Sequence, residues 1–480
     1  MKDDSTSIAN YFVKHKAKNL CVNAKGELLT YLDVYQKAIK PPFTATNRQL
    51  VFCIVENEIS ALSGYFALLV ANAVPMMVAV TISTEKLHHL ASSYRPHFIW
   101  LPEARRKEFE RADCMLSQDG YCLLNLHNPE RRCHDSLALL LATSGSTGNP
   151  KYVRLSHRNL YSNAESIAKF LELTSNEVPI TTLPPSYSYG LSIIHSHIFV
   201  GATLAITNKT FFDRDFWNFF HDIQATSMGG VPYHYEMLKK LRFTSMNLPS
   251  LRTLTQAGGG MDTKLTMEYA SYCESSGRRF FSMYGQTEAT ARMSYLPSSE
   301  ATFKAGSIGI AIPGGKFWLE DKSGQIFDCA DSPGELVYQG PNVSMGYADS
   351  YEDLEKSDER HGVLRTGDIA RRDGDGYYFI VGRRKRFIKL YGNRVSLSDI
   401  DGLLFESGYV AACAGQDNYL EVYALNIDAE KAKLVKKLVV GSLHIAQSAV
   451  SVYGVTEFPR SDSGKIQYSE LQSQLGILLT

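Results

Sequence analysis

The sequence predicts an α/β protein: a large layered N-terminal domain with mostly parallel sheets plus a β-rich subdomain, then a small α+β C-terminal domain. Three observations carry that reading. Up to roughly residue 340, short near-continuous apolar runs alternate with amphipathic helices, the pattern of strands covered on both faces. After Gly340 the texture changes to turn-rich hairpin signals. A separate strand, helix and strand succession closes the chain.

Taken in order, the segments 49–55, 74–80, 98–101 and 137–142 are the predicted strands of the first region. The stretch from Ala61 to Ile82 is apolar enough and long enough to span a bilayer. Asn72 and Pro75 interrupt it, however. Leu62, Phe66, Leu69 and Val70 follow helical spacing, and a β-branched run follows them, so a buried helix and a buried strand are expected. Ser156 is the predicted N-cap of a helix that places Leu160, Ala164, Ile167, Ala168 and Leu171 on one face. Further on, Thr366-Gly367-Asp368 reads as a tight turn, Asp373 to Gly376 as a second turn, and 377–381 as a strand. Strands at 420–427 and 449–455 flank a helix at 429–440, enough for a small separate domain. The boundary is set near residue 384, giving residues 1–384 and 385–480.

Composition narrows the function classes. Apolar residues make up 44% and charged residues 21%, which fits a globular chain and neither a disordered nor a fibrous one. Lysine plus arginine balance aspartate plus glutamate at 50 each, so no global basic field draws in nucleic acid or an anionic membrane. Neither partner is expected. The eight cysteines form no Cys-x-x-Cys pair and no finger-like spacing with histidine, which argues against structural zinc. The first residues carry acids and no apolar core of a signal peptide. A cytoplasmic protein with reduced thiols is the expectation.

The sharpest local signal is Thr143-Ser144-Gly145-Ser146-Thr147-Gly148, continuing to Lys151, between the 137–142 strand and the Ser156 helix. The glycines free backbone N–H groups to wrap a polyanion, the hydroxyls of Ser144, Ser146 and Thr147 add donors, and Lys151 adds charge. A Walker A pattern cannot be threaded through it. A plain polar turn explains the loop equally well when it is taken alone.

It does not stand alone. Met283-Tyr284-Gly285-Gln286-Thr287-Glu288, Gly334 to Gly340, Gly346-Tyr347, Arg365-Thr366-Gly367-Asp368, Gly382-Arg383 and Pro459 to Lys465 follow in order. In that order and spacing the chain resembles the adenylate-forming superfamily. That superfamily comprises acyl- and aryl-CoA synthetases, nonribosomal peptide adenylation domains, carrier-protein ligases and luciferases. The resemblance implies joining of a carboxylic acid to the α-phosphate of ATP, release of pyrophosphate, and transfer of the acyl group to a thiol. Two anions must meet, so negative charge has to be offset while the carboxylate is held in line.

By resemblance, the loop from Thr143 to Lys151 holds the β- and γ-phosphates, Thr287 donates to the α-phosphate, and Glu288 holds Mg²⁺, a hard cation suited to oxygen ligands. Tyr284 and Gly285 face adenine, with Gly258, Gly259 and Gly260 allowing close approach on the other side. Asp368 accepts from the ribose hydroxyls and Arg383 reinforces that grip. Lys465, in a glycine-containing loop, bridges carboxylate and phosphate. Lys385 is the hinge of a mobile C-terminal domain, and Gly392 lines a thiol tunnel. Outside the resemblance, Thr366 to Asp368 reads as a surface turn, Lys465 as a solvated lysine, and the basic run 383–386 as a solvated face or a localisation patch. The acceptor is coenzyme A or phosphopantetheine on an acyl carrier protein.

The acid pocket is expected at Tyr187, Tyr189, Gly190, Val231 and Gly260. Amino-acid-activating members carry an aspartate where this chain has Gly190, and a buried ammonium without a counter-ion costs several kcal/mol. An α-amino acid is therefore disfavoured. Ser396 and Ser398 stand where glutamate and glycine are common in the superfamily, which makes thioester formation less secure than adenylation. Two alternatives stay open: an amino-acid:carrier-protein ligase with its carboxylate elsewhere, and a catalytically silent relative that acts as a binding protein.

Overall fold

The computed structural model describes residues 8–129, 131–143, 151–383, 387–390, 393–443, 445–460, 466–471 and 476–480. Two compact units share the chain. The first takes residues 1–143, 150–317 and 338–364; the second takes 144–149, 318–337 and 365–480.

Two large sheets build the first unit. In the eight-stranded sheet, Leu137–Ala142, Val74–Ala79, Leu50–Val55 and Phe98–Pro102 run parallel at the centre. Antiparallel strands flank them on both sides. All six residues of Leu50–Val55 are buried, as expected for a strand covered on both faces. In the nine-stranded sheet, Arg279–Tyr284, Thr253–Gln256, Ser227–Gly230, Pro179–Ile180, Leu204–Ile206 and Asn19–Asn23 form the parallel centre. Parallel strands are thus found at the centre of both sheets, as predicted, with antiparallel pairs confined to the edges; those edge pairs outnumber the parallel ones, four to three, in the eight-stranded sheet.

The apolar stretch after Ala61 is the helix Ile59–Val70 followed by the strand Val74–Ala79. That helix packs so tightly that a Cβ on Gly64 would run into the Trp100 indole. No helix among the described residues is long and apolar enough to cross a membrane. Ser156 caps His157–Phe170 as predicted: its hydroxyl accepts from the Asn159 amide, and the Asn159 side chain accepts in turn from the Ser156 amide. One buried cluster joins both sheets to this helix and to Ile59–Val70 and Ser188–Val200.

The second unit carries a five-stranded sheet in the order Ile326–Phe327, Lys316–Glu320, Gly334–Gln339, Val363–Arg372, Tyr378–Arg383. Here one expectation is corrected. Thr366 to Asp368 is not a turn but lies inside the ten-residue strand Val363–Arg372. Gly367, at φ 72°, takes up a kink without ending the strand. The Thr366 hydroxyl donates to the Leu336 carbonyl and accepts from the Asp368 amide. The turn after Asp373 is present and leads into Tyr378–Arg383. Near the C-terminus, Ala411–Gln416, Tyr419–Leu425, Val450–Val455 and Ile477–Leu478 form a four-stranded sheet. The helices Leu397–Glu406 and Ala429–Leu443 contribute to its core.

Three imidazoles in the first unit, His195, His197 and His234, are pushed by burial down to about 4. An unfolded chain protonates them near 6.5, whereas the fold holds them neutral, so stability is full above that pH and falls as pH drops toward 4. At a pH of about 5 the loss amounts to about 2 kcal/mol per histidine. Urea unfolding at neutral pH and at about pH 5 should therefore show a clear drop in midpoint. Equal midpoints would mean that these imidazoles gain protons without opening the core.

Candidate active site

The segment after the strand Arg279–Tyr284 concentrates the predicted chemistry. Thr287–Ala289 forms one tight helical turn. Thr290 then adopts φ 67° and ψ −61°, while the Ala291 amide donates to the Ala289 carbonyl at 2.7 Å. That is a γ-turn with positive φ on a β-branched residue, a strained conformation that persists only when its surroundings over-determine it. The surroundings do so. Asn342 donates to the Ala289 and Arg292 carbonyls at 3.0 and 3.1 Å, and Asn163 donates to the Arg292 carbonyl at 2.9 Å. The Thr290 hydroxyl donates to the Asn342 carbonyl at 2.8 Å. Both asparagines are buried.

Gly285 has a packing reason of its own, because a Cβ there would collide with the Ala291 carbonyl as the chain recrosses. Tyr284 and Gln286 are half-buried beside it.

Thr287 and Glu288 are also half-buried, so a ligand can reach them. The Thr287 hydroxyl donates to Ser188, the first residue of Ser188–Val200, at 3.1 Å. Tyr347 donates its hydroxyl to the Glu288 carboxylate at 2.7 Å. Burial first, and then the neighbouring Glu288 charge, push the Tyr347 hydroxyl up to about 12, so it remains a donor at neutral pH. The Arg360 guanidinium lies 4.9 Å from the Tyr347 ring centre, and the Lys151 ammonium lies 5.8 Å from it. Thr143 closes the base of the predicted phosphate loop by donating its amide to the Lys151 carbonyl at 2.9 Å. Ser144, Gly145, Ser146, Thr147 and Gly148 lie outside the described residues.

Of the residues predicted for the acid pocket, Tyr187, Tyr189 and Val231 gather near Gly258 in the first unit. Tyr187 and Tyr189 meet edge-on with centroids 6.3 Å apart. Tyr189 donates to the Thr255 carbonyl at 2.9 Å. Gly258, at φ 87°, leaves room for the Tyr187 hydroxyl, and the Val231 side chain would lie 3.1 Å from a Cβ at that position. Gly259 accepts from Gln256 at 2.8 Å, and nothing lies within 4 Å of a Cβ on Gly260. Gly190 needs a corrected interpretation. A Cβ there would strike the Pro184 carbonyl and lie 3.1 Å from the Leu183 Cβ, so backbone occupies the space an aspartate side chain would need.

In the second unit, Asp368 and Arg383 are register partners on neighbouring strands and form an ion pair at 2.8 Å. Asp368 is buried while Arg383 is 60% exposed. Lys385, Gly392 and Lys465 lie outside the described residues. A separate cleft of about 1210 Å³ is lined by Ser136, Ser156, His157 and Asn159. It opens at the far end of the Leu137–Ala142 and Tyr152–Ser156 strands from Thr143 and Lys151.

Sequence reasoning assigned no role to Asn163, Asn342, Tyr347, Arg360 or Arg292. The Gly346-Tyr347 pair was a visible signal for one of them. The others depend on tertiary burial, which one sequence does not display.

A family model described as AMP-binding enzyme matches residues 44–348. Feruloyl-CoA synthase of an Amycolatopsis species is 28% identical over 352 residues, covering 71% of this chain and 70% of that protein. Indoleacetate–CoA ligase of Aromatoleum aromaticum is 29% identical over 348 residues, covering 70% and 66%. ATP-bound MatB from Rhodopseudomonas palustris superposes with a TM-score of 0.78 at 21% identity, covering 97% of this chain and 98% of its own, a likeness of fold. The chain belongs to the AMP-binding enzyme family, within the adenylate-forming superfamily.

Proposed function

We propose that the protein is an AMP-forming acid–thiol ligase, activating a carboxylic acid with ATP and passing the acyl group to a thiol. The observation that carries this reading is the Thr287–Glu288 pair, half-buried on a strained and pinned loop, with Tyr347 orienting the carboxylate. A hydroxyl donor beside an oriented carboxylate suits a phosphate oxygen and a hard cation. Glu288 would hold Mg²⁺, which supplies charge neutralisation at the phosphates.

In the first step an oxygen of the acid attacks the α-phosphorus of ATP, the bond to the bridging oxygen breaks, and pyrophosphate leaves. Thr287 would donate to the α-phosphate, and Lys151 with the loop before it would hold the outgoing phosphates. By resemblance, Asp368, which is ion-paired with Arg383, would accept from the ribose hydroxyls. In the second step a thiol sulfur attacks the acyl carbon and AMP leaves. Both relatives are named for joining an acid to coenzyme A, so coenzyme A is the acceptor proposed first. A phosphopantetheinyl carrier protein is the second, and the basic run 383–386 suits the phosphates of one or acidic residues of the other. Residues 385–480 are proposed to turn as a unit between the two steps. A binding protein without catalysis is disfavoured because Thr287, Glu288, Asp368, Arg383 and Lys465 are all present.

Acid-dependent ATP–pyrophosphate exchange tests the reading. Replacing Lys465 with alanine should reduce exchange about a hundred- to a thousand-fold while ATP still binds, the usual effect of losing one electrostatic donor. Exchange within tenfold of wild type would remove Lys465 from the chemistry.

Lys385→Pro should leave exchange nearly intact and suppress thioester formation, since proline fixes φ at the proposed hinge. Equal loss in both steps would make the residue structural, and no loss would remove the hinge.

At Gly190, substitution by alanine or aspartate should lower stability by about 1–3 kcal/mol, because the Pro184 carbonyl occupies the space. Wild-type stability in Gly190→Asp, together with new turnover of α-amino acids, would restore the counter-ion interpretation of that position.

A further inference from the structure

Arg292 is one of the largest fully buried side chains in the protein, at 2% exposure. Its Nε and Nη1 are buried without a hydrogen-bond partner. Its guanidinium lies over the ring of Tyr189, 5.1 Å from the centroid. Burial lowers its pKa, but only to about 10, so it stays cationic at neutral pH. The ionisable groups that face it bring no negative charge. Burial raises the Tyr189 phenol and holds His197 near 4, and both are therefore neutral.

The other buried arginines find acceptors, although the Nε of Arg48 is also without one. Arg154 donates to the carbonyls of Tyr347, Met345, Lys356 and Ser357 and to the carboxylate of Glu359. Arg48 donates to the carbonyls of Leu137, Cys133 and His134. A buried guanidinium left unpaired is strongly destabilising, which is why such groups are paired in native proteins. Among these three, Arg292 alone lacks any acceptor.

Its position says where the missing acceptor comes from. Ser188 and Tyr189 are consecutive residues of one helix. Ser188 accepts from the Thr287 hydroxyl, the group proposed above to meet the α-phosphate, and Tyr189 carries the Arg292 guanidinium. An acid lying along this wall would present its reacting carboxylate near Thr287 and its other end to Arg292. A guanidinium is a planar fork of donors that matches a carboxylate. It also repels an ammonium at the place where Gly190 already leaves no room for a carboxylate side chain.

We propose that Arg292 recognises a second carboxylate on the substrate, so that this enzyme activates a dicarboxylic acid at one end and leaves the other end charged against Arg292. The proposal rests on the acid–thiol ligase reading above and narrows its substrate class.

The test is ATP–pyrophosphate exchange by the full-length enzyme with succinic, glutaric and phthalic acids, each paired with its own monoamide, and with benzoic and hydroxycinnamic acids. For at least one pair, kcat/KM should favour the diacid by at least about thirtyfold, the worth of one hydrogen-bonded charge. Arg292→Met should bring that ratio to within about threefold of one, and Arg292→Lys should give an intermediate ratio because charge remains and the fork is lost. Each ratio is taken within one preparation, so a general loss of stability cancels. If Arg292→Met does not fold, the wild-type ratios decide. Wild-type preference for the monoamides or monocarboxylic acids, or an unchanged ratio in Arg292→Met, overturns the proposal while leaving the ligase reading in place. Absence of exchange with every acid overturns that reading and this proposal together.

Discussion

The site depends on two buried asparagines. Asn163 and Asn342 hold the carbonyls around the γ-turn at Thr290, and that turn sends the chain back past Gly285 so closely that no side chain fits there. Thr287, Glu288 and Arg292 all lie on the segment so pinned. Strain of this kind costs on the order of 1–3 kcal/mol and persists where the surrounding structure offsets it. Here the offset is a set of buried amide hydrogen bonds, which are expensive to break because each carbonyl would then be left unsatisfied. The rigidity places a hydroxyl, a carboxylate and a guanidinium in fixed relation within one unit of the protein.

A second brace reaches the same segment from another strand. Arg154 lies on Tyr152–Ser156, just beyond the predicted phosphate loop, and donates to the carbonyls on either side of Gly346. Gly346 is at φ 134°, and a Cβ there would press on both Arg154 and Glu359. Tyr347 follows, and its hydroxyl fixes the Glu288 carboxylate. One buried arginine thus ties the strand that follows Lys151 to the carboxylate proposed for Mg²⁺. Such a brace lets the phosphate loop and the metal carboxylate be positioned by the same core, which preorganised electrostatic catalysis requires.

Much of the fold was legible because it is written in local pattern. The interruption at Asn72 and Pro75 separated helix from strand, and Ser156 announced its helix, although the capping partner is Asn159 rather than an acid or glutamine. The misread element was Thr366 to Asp368. A Thr-Gly-Asp sequence looks like a turn locally, but cross-strand pairing to Tyr378–Arg383 carries the chain through it, with Gly367 absorbing the kink. At Gly285 and Gly258, both expected beside the nucleotide, a Cβ would also meet protein atoms, the Ala291 carbonyl and the Tyr187 hydroxyl. A sequence shows that a side chain is missing without showing what fills the space. Arg292 was invisible for a related reason: an arginine four residues beyond Glu288 reads as surface charge until the fold buries it.

Gly190 and Arg292 together give the acid pocket its charge logic. Recognition of an amino acid needs an anion opposite the ammonium, and at Gly190 the close approach to Pro184 removes the space for one. That alone would leave a neutral pocket, suited to an uncharged tail. A neutral pocket has no use for a buried cation, since desolvating a guanidinium without an acceptor works against folding. The fold nevertheless satisfies Arg154 fully while leaving Arg292 over an aromatic ring, a contact worth about 2 kcal/mol or more when desolvated against the several kcal/mol that burying an ion costs. The two residues thus act in the same direction: one leaves no room for a negative side chain, and the other supplies the positive charge proposed to meet a second carboxylate of the substrate.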